Sequence, residues 1–150
     1  MPRLHENPGF SLIELLVVLT ILGLALAIIP PLLNNVIKSA QVKNAARELA
    51  SGLRQVRSIA ISRQEESYLA IDIADETFTI NGKNKKLDLP DNTKITLTTA
   101  KSEQQSKTRG AIRFFPDGSS TGGRIMLRAA AGRYSIDVSW LTGQISITPG

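Results

Sequence analysis

Gly9-Phe10-Ser11-Leu12-Ile13-Glu14-Leu15-Leu16-Val17-Val18-Leu19 is the stretch that decides how this 150-residue chain is read. It opens an apolar run, 10–33, whose single charge is Glu14. A helix rises about 1.5 Å per residue, so this run matches the roughly 30 Å hydrocarbon core of a bilayer. A secretory signal peptide has a shorter apolar core that ends at a small-x-small site, and neither feature is present. A carboxylate in such a span costs a few kcal/mol and therefore calls for a partner or an interfacial position near the helix start. Pro30-Pro31 falls late in the run, where proline removes a helical hydrogen bond and clashes with the preceding turn. A kink there and a plain helix end at Ile29 are equally compatible with the residues.

The same stretch resembles the processing and methylation motif of type IV pilins and pseudopilins. The likeness lies in a glycine–phenylalanine junction, a glutamate four residues after the phenylalanine, and the long apolar helix. It implies cleavage between Gly9 and Phe10 by a prepilin peptidase on the cytoplasmic side, followed by N-methylation of Phe10. It also implies that Glu14 meets the Phe10 amine of a neighbouring subunit, which would give the intramembrane charge its partner. Lys38, Lys43 and Arg47 follow the span and by themselves favour a cytoplasmic C-terminal side. The resemblance implies the opposite, a single-pass inner-membrane protein with its C-terminal domain in the periplasm.

Beyond the span, Val42, Ala46, Leu49, Leu53, Val56 and Ala60 recur at the spacing of one helix face. The helix is expected to continue from Asn34 to about Arg63, with this stripe against a globular domain. Lys43, Arg47, Arg54 and Arg57 then read as a solvated face. No aromatic residues interleave with them as single-strand nucleic-acid binders require.

After Glu66 the apolar period changes to two. Ser67–Ile73, 77–80, Lys94–Thr99, Gly110–Phe115, Arg124–Arg128, Tyr134–Trp140 and Ile145–Thr148 read as strands. Asn81-Gly82 reads as the start of a lysine-rich loop to Lys86, and Ala100–Arg109 as a mobile polar loop. Pro116-Asp117-Gly118 supplies a turn, and Gly122-Gly123 permits positive φ before the next strand. Trp140, a lone large aromatic on a strand, is expected in the core. The fold class is α+β: a pilin-like long N-terminal helix packed on a C-terminal antiparallel sheet.

Phe115-Pro116-Asp117-Gly118-Ser119-Ser120-Thr121-Gly122-Gly123 and Trp140-Leu141-Thr142-Gly143 carry a second resemblance. They are similar to the family that joins the minor pseudopilin H of type II secretion with the FimT-type minor pilins. The resemblance implies a leader at 1–9, a transmembrane helix at 10–33, an amphipathic continuation at 34–66 and a periplasmic β domain at 67–150. It implies a minor pseudopilin near the tip of the periplasmic pseudopilus that drives protein export. Its partners would be the prepilin peptidase, other minor pseudopilins, the major pseudopilin, inner-membrane lipid and a secreted substrate.

The residues also exclude. The chain lacks cysteine, so a disulfide framework, a thiolate zinc site and a cysteine nucleophile are ruled out. Its one histidine, His5, lies in the segment expected to be removed, and its acids are scattered singly, so no catalytic residue is assigned. The Asp117–Gly123 loop lacks a P-loop lysine, a following helix and a second carboxylate, so no metal or cofactor is assigned there. A net charge of +5 permits nucleic-acid binding. The alternative function is thus a FimT-type minor pilin in DNA uptake. Such pilins tend to carry arginines around the Thr-Gly turn. Gln144-Ile145-Ser146-Ile147 after Gly143 has none, so nucleic acid is not the expected partner.

Overall fold

The computed structural model describes residues 9–150, and the side chains of all of these except 27–35. The leader expected at 1–9 lies outside the described residues apart from Gly9. One long helix, α1 (Leu12–Arg63), is followed by eight strands: β1 (Ser67–Asp72), β2 (Thr77–Ile80), β3 (Lys83–Lys86), β4 (Lys94–Thr99), β5 (Arg109–Phe114), β6 (Gly123–Ala129), β7 (Gly132–Val138) and β8 (Ile145–Pro149). The chain divides into two compact units, Met1–Val36 and Ile37–Gly150.

In the first unit, α1 does not end at Ile29: the helix runs on through positions 30 and 31. From Leu12 to Leu26 every residue is exposed, with Leu15, Leu16, Leu19 and Leu22 among them. A helix apolar on all sides has no face suited to water and requires lipid or other helices around it. Among the described residues, no helix is long and apolar enough to cross a membrane. The side chains of 27–33, the second part of the expected span, lie outside the described residues.

In the second unit, the helical stripe foreseen from spacing is the core. Val42, Ala46, Leu49, Leu53, Val56 and Ala60 are fully buried, and Ala45 and Ala50 widen the stripe. They pack with Leu69, Ile71, Phe78, Ile112, Phe114, Ile125, Leu127 and Ile136 from the strands. Gly52 does more than weaken the helix. A Cβ there would stand 3.0 Å from Leu69 Cδ1 and 3.0 Å from Ile80 Cδ1, so its absence lets α1 sit close on the strands.

Two antiparallel four-stranded sheets share this core, ordered β3-β2-β1-β5 and β4-β6-β7-β8. They meet where the Thr99 hydroxyl donates to the Ala111 carbonyl. Close approach there depends on Gly123, where a Cβ would come within 2.9 Å of the Thr98 carbonyl oxygen and 3.0 Å of Ile112.

Three expectations are corrected. The lysine-rich segment after Asn81-Gly82 is not a loop but an edge strand, β3, paired from Thr77↔Lys86 to Ile80↔Lys83. Asn81 and Gly82, both at positive φ, form the two-residue turn. All four β3 residues are exposed, so no apolar alternation marked the strand. Residues 100–109 likewise are not all loop. A 3-10 turn spans Lys101–Glu103, and Gln104 bridges Gly110. Its anchor is Glu103, whose carboxylate is 8% exposed and accepts from Arg113 Nε at 3.0 Å. Arg113 also donates to Glu66 at 3.0 Å and lies 5.4 Å from the Tyr68 ring centroid.

Trp140 is the third correction: it is 69% exposed. Alternation along β7 puts Ile136 and Val138 inward, and position 140 would follow them. The chain instead turns, with Gly143 N–H donating to the Ser139 carbonyl and Ser139 N–H to the Gln144 carbonyl, which leaves Trp140 on the outside.

The Glu103–Arg113 pair makes a sharp prediction. Arg113→Ala would strand a buried carboxylate and should cost about 2–4 kcal/mol in denaturant unfolding. The double variant Glu103→Met/Arg113→Met should recover most of that loss. Equal losses in the two variants would show that the segment is held by something other than this pair.

Candidate functional site: the processing segment and the glycine-turn junction

The residues assigned at sequence level fall into two separate groups. The first is the start of α1. Gly9 and Phe10 precede the helix, both exposed, with Phe10 at 78%. Among the described residues, nothing lies within 4 Å of where a Cβ on Gly9 would sit. Glu14 occupies the first helical turn, where the amino end of the helix dipole favours a carboxylate. Its side chain is exposed and has no cationic partner among the described residues.

The second group is a junction of two turns under α1. Pro116-Asp117-Gly118 closes by Gly118 N–H to the Phe115 carbonyl and Phe115 N–H to the Ser119 carbonyl. Asp117 Oδ1 accepts from Ser119 N–H at 2.9 Å and from the Ser119 hydroxyl at 2.6 Å. Those bonds from Ser119 hold its carboxyl below the usual 3.8. Asp117 is therefore bound into its own turn. No group of three or more metal-ligating side chains occurs among the described residues. Asp72 is likewise held below 3.8, chiefly by its hydrogen bond from Arg109. Both carboxylates have a depressed folded value, so their contribution is complete above about pH 3.8. It is lost as the pH falls through the depressed values. An acid titration followed by circular dichroism should therefore show stability falling below about pH 3.8, and an Arg109→Ala variant should lose less in that range.

Ser120 ties the first turn to the second. Its N–H donates to the Trp140 carbonyl and its hydroxyl to the Ser139 carbonyl at 3.0 Å, while Gly122 N–H donates to its hydroxyl. Gly122, at φ +71°, lies so close to Trp140 that a Cβ would be 3.0 Å from the Trp140 Cβ. Gly118 (φ +84°) and Gly143 (φ +62°) face one another, and a Cβ on Gly143 would run into the Gly118 carbonyl oxygen. Only glycine fits both the left-handed backbone and the space.

The residue that holds this junction together escaped sequence reasoning. Arg57, on α1, donates from Nε to the Gly118 carbonyl and from Nη2 to the Thr142 carbonyl, both at 3.0 Å. Expected on a solvated face, it is half-buried and clamps both turns to the helix. Its acceptors are backbone carbonyls, and no sequence pattern marks those. Arg54 stands one turn earlier, exposed, beside a groove of about 420 Å³ lined by Arg54, Arg57, Thr142, Gly143, Gln144 and Ile145. The turn lacks basic residues of its own, but the helix brings two guanidinium groups to it.

The family model described as Type II transport protein GspH matches residues 45–143, from the buried helical stripe to the second turn glycine. The chain belongs to the GspH family. The model of the prokaryotic N-terminal methylation motif matches residues 7–30 of this GspH-family chain. A curated relative, Type II secretion system protein H of Xanthomonas campestris pv. campestris, is 33% identical over 94% of this chain and 83% of its own length.

Two solved structures share the fold. The type IV minor pilin FimU of Pseudomonas aeruginosa superposes with a TM-score of 0.53 at 15% identity, covering 73% of this chain and 90% of FimU. The minor pseudopilin EpsH from the Type 2 Secretion System of Vibrio cholerae superposes with a TM-score of 0.53 at 11% identity, covering 73% and 97%. The long helix on antiparallel sheets is thus the pilin-like α+β fold.

Proposed function

We propose that this GspH-family chain is a minor pseudopilin of a type II secretion system, built into the periplasmic pseudopilus near its tip. The observation that carries the reading is the pairing of a GspH-family domain with an amino-terminal helix that is apolar on every side except for Glu14 in its first turn. Residues 10–33 anchor the chain in the inner membrane as a single span, and the β domain stands in the periplasm. A prepilin peptidase cuts the exposed bond between Gly9 and Phe10 and methylates the new amine. Glu14 then registers the helix by pairing with the Phe10 amine of a neighbouring subunit. The β domain docks other minor pseudopilins and the major pseudopilin, and at the tip it meets exported protein.

A second reading, a FimT-type minor pilin that takes up DNA, draws support from one feature. Arg54 and Arg57 place positive charge beside the Thr142–Gly143 turn. One experiment separates the two. The full chain, purified in mild detergent, is offered purified minor pseudopilins in one arm and duplex DNA in the other. Retention of the pseudopilins, with DNA binding lost as salt rises, supports the secretion reading. DNA binding that persists at physiological salt, with no pseudopilin retained, would overturn it in favour of DNA uptake.

A further inference from the structure

Four strands stand at sheet edges, β3 and β5 in one sheet and β4 and β8 in the other; β4 and β5 meet at the Thr99–Ala111 bond, and the two outer edges, β3 and β8, are built in opposite ways. β3 is Lys83-Asn84-Lys85-Lys86, with three lysines, the composition that keeps an edge from pairing with other chains. β8 is Ile145-Ser146-Ile147-Thr148-Pro149, uncharged and rich in β-branched residues. It carries no charge, and its one proline stands at the end of the strand.

The hydrogen-bond register defines what β8 offers. Ser139 N–H donates to the Gln144 carbonyl and Gly150 N–H to the Arg133 carbonyl. Antiparallel alternation then turns the backbone groups of Ser146 and Thr148 towards β7 and those of Ile145 and Ile147 outward. Among the described residues, no backbone group outside the sheet bonds to Ile145 or Ile147. Pro149, next in that outward set, has no N–H to give. The free edge is therefore short and has a defined start and stop.

At its start lies the groove lined by Arg54, Arg57, Gln144 and Ile145. Arg57 is occupied by two carbonyls, whereas Arg54 has no acidic partner among the described residues. The turn leading into β8 also holds Trp140 and Leu141, 69% and 64% exposed. Trp and Arg are residue types that dominate binding hot spots.

We propose that β8 is a docking edge for an extended acidic segment of a neighbouring, different subunit. The segment pairs its backbone with Ile145 and Ile147 and sets a carboxylate against Arg54. The carboxylate comes from another chain because the acid beside β8, Asp137, is already held by Arg124, as five other acids of this domain are held by cations of their own. Asp72 and Asp75 are bound to Arg109, Glu66 and Glu103 to Arg113, Glu48 to Lys85, and Asp137, beside β8, to Arg124. This inference rests on the assembly reading for the identity of the partner, but its test does not pass through assembly.

The chain's single tryptophan, Trp140, is the reporter. The full chain in detergent is titrated with a capped peptide of about six residues alternating glutamate and valine, the length of a typical strand. Saturable change in Trp140 emission is expected, weakened about tenfold in Arg54→Glu. Two N-methylated versions of the peptide, blocking alternate backbone N–H groups, should differ: one loses binding and the other keeps it. No binding, equal binding of both methylated peptides, or an unaffected Arg54→Glu variant would each overturn the proposal. So would displacement of the peptide by duplex DNA that binds Arg54 at physiological salt, because the groove would then be a polyanion site. The Glu14 variants of the assembly reading should bind the peptide normally, so failure of either idea is visible separately.

Discussion

Replacing Gly143 by alanine should cost the domain about 3–5 kcal/mol of stability. Two effects add. An L residue at φ +62° sits in the left-handed region, at about 1–2 kcal/mol. The new methyl group would also stand 2.0 Å from the Gly118 carbonyl oxygen and crowd Arg57 Nε at 2.8 Å. The two turns must then separate, and Arg57 loses one of its charge-assisted bonds, at about 1.5–3 kcal/mol. Gly82→Ala is the control. It has the same kind of backbone at φ +77° but nothing within 4 Å, so it should cost only about 1–2 kcal/mol. Urea unfolding of the full chain in detergent measures both. Equal losses at the two positions would mean that backbone conformation alone matters and that the junction is not a packed device.

Glu14→Ala should leave the β domain folded and the helix inserted but exclude the chain from the filament. Removing a charge from an apolar helix eases insertion by a few kcal/mol, so defective anchoring would not explain the loss. What disappears is the proposed pair with the Phe10 amine of the next subunit. Stranding one partner of such a pair in a low-dielectric setting costs about 3–5 kcal/mol, more than about a hundredfold in incorporation. Quantifying the chain in sheared pseudopili, against its total amount in the membrane, reads this directly. Glu14→Asp should fall between, because the shorter carboxylate keeps the charge and loses reach. Normal incorporation of Glu14→Ala would remove the registration role while leaving the family membership untouched.

The helix and its buried face were legible in the sequence because a period of 3.6 residues survives any partner. Val42 to Ala60 are named by spacing, and all six positions are fully buried. Most strands were legible for the same reason at period two. β3 was not, because a fully exposed edge strand carries no alternation to read. Trp140 misled because its alternation is real up to Val138 and is cancelled by a turn set by Ser139, Gly143 and Gln144. The glycines of the two turns could be named, but the reason they are glycines could not. That reason is a contact between Gly118 and Gly143, and each turn taken alone looks ordinary. Arg57 was invisible as a clamp since its chemistry is that of any surface arginine until two carbonyls are brought to it.

The clamp also fixes when this domain can finish folding. Arg57 reaches acceptors 61 and 85 residues further along the chain, so both closures await segments made long after the helix. Contacts of such separation form late and slowly, because the connecting chain must first surrender its freedom. In chain order the helix is made early and the Thr142–Gly143 turn well after it. Until residue 142 arrives, the lower end of the helix has no latch, and the incomplete domain shows its apolar stripe to whatever is nearby. A truncation just before Thr142 should therefore yield a species dependent on chaperones rather than a slightly weaker domain.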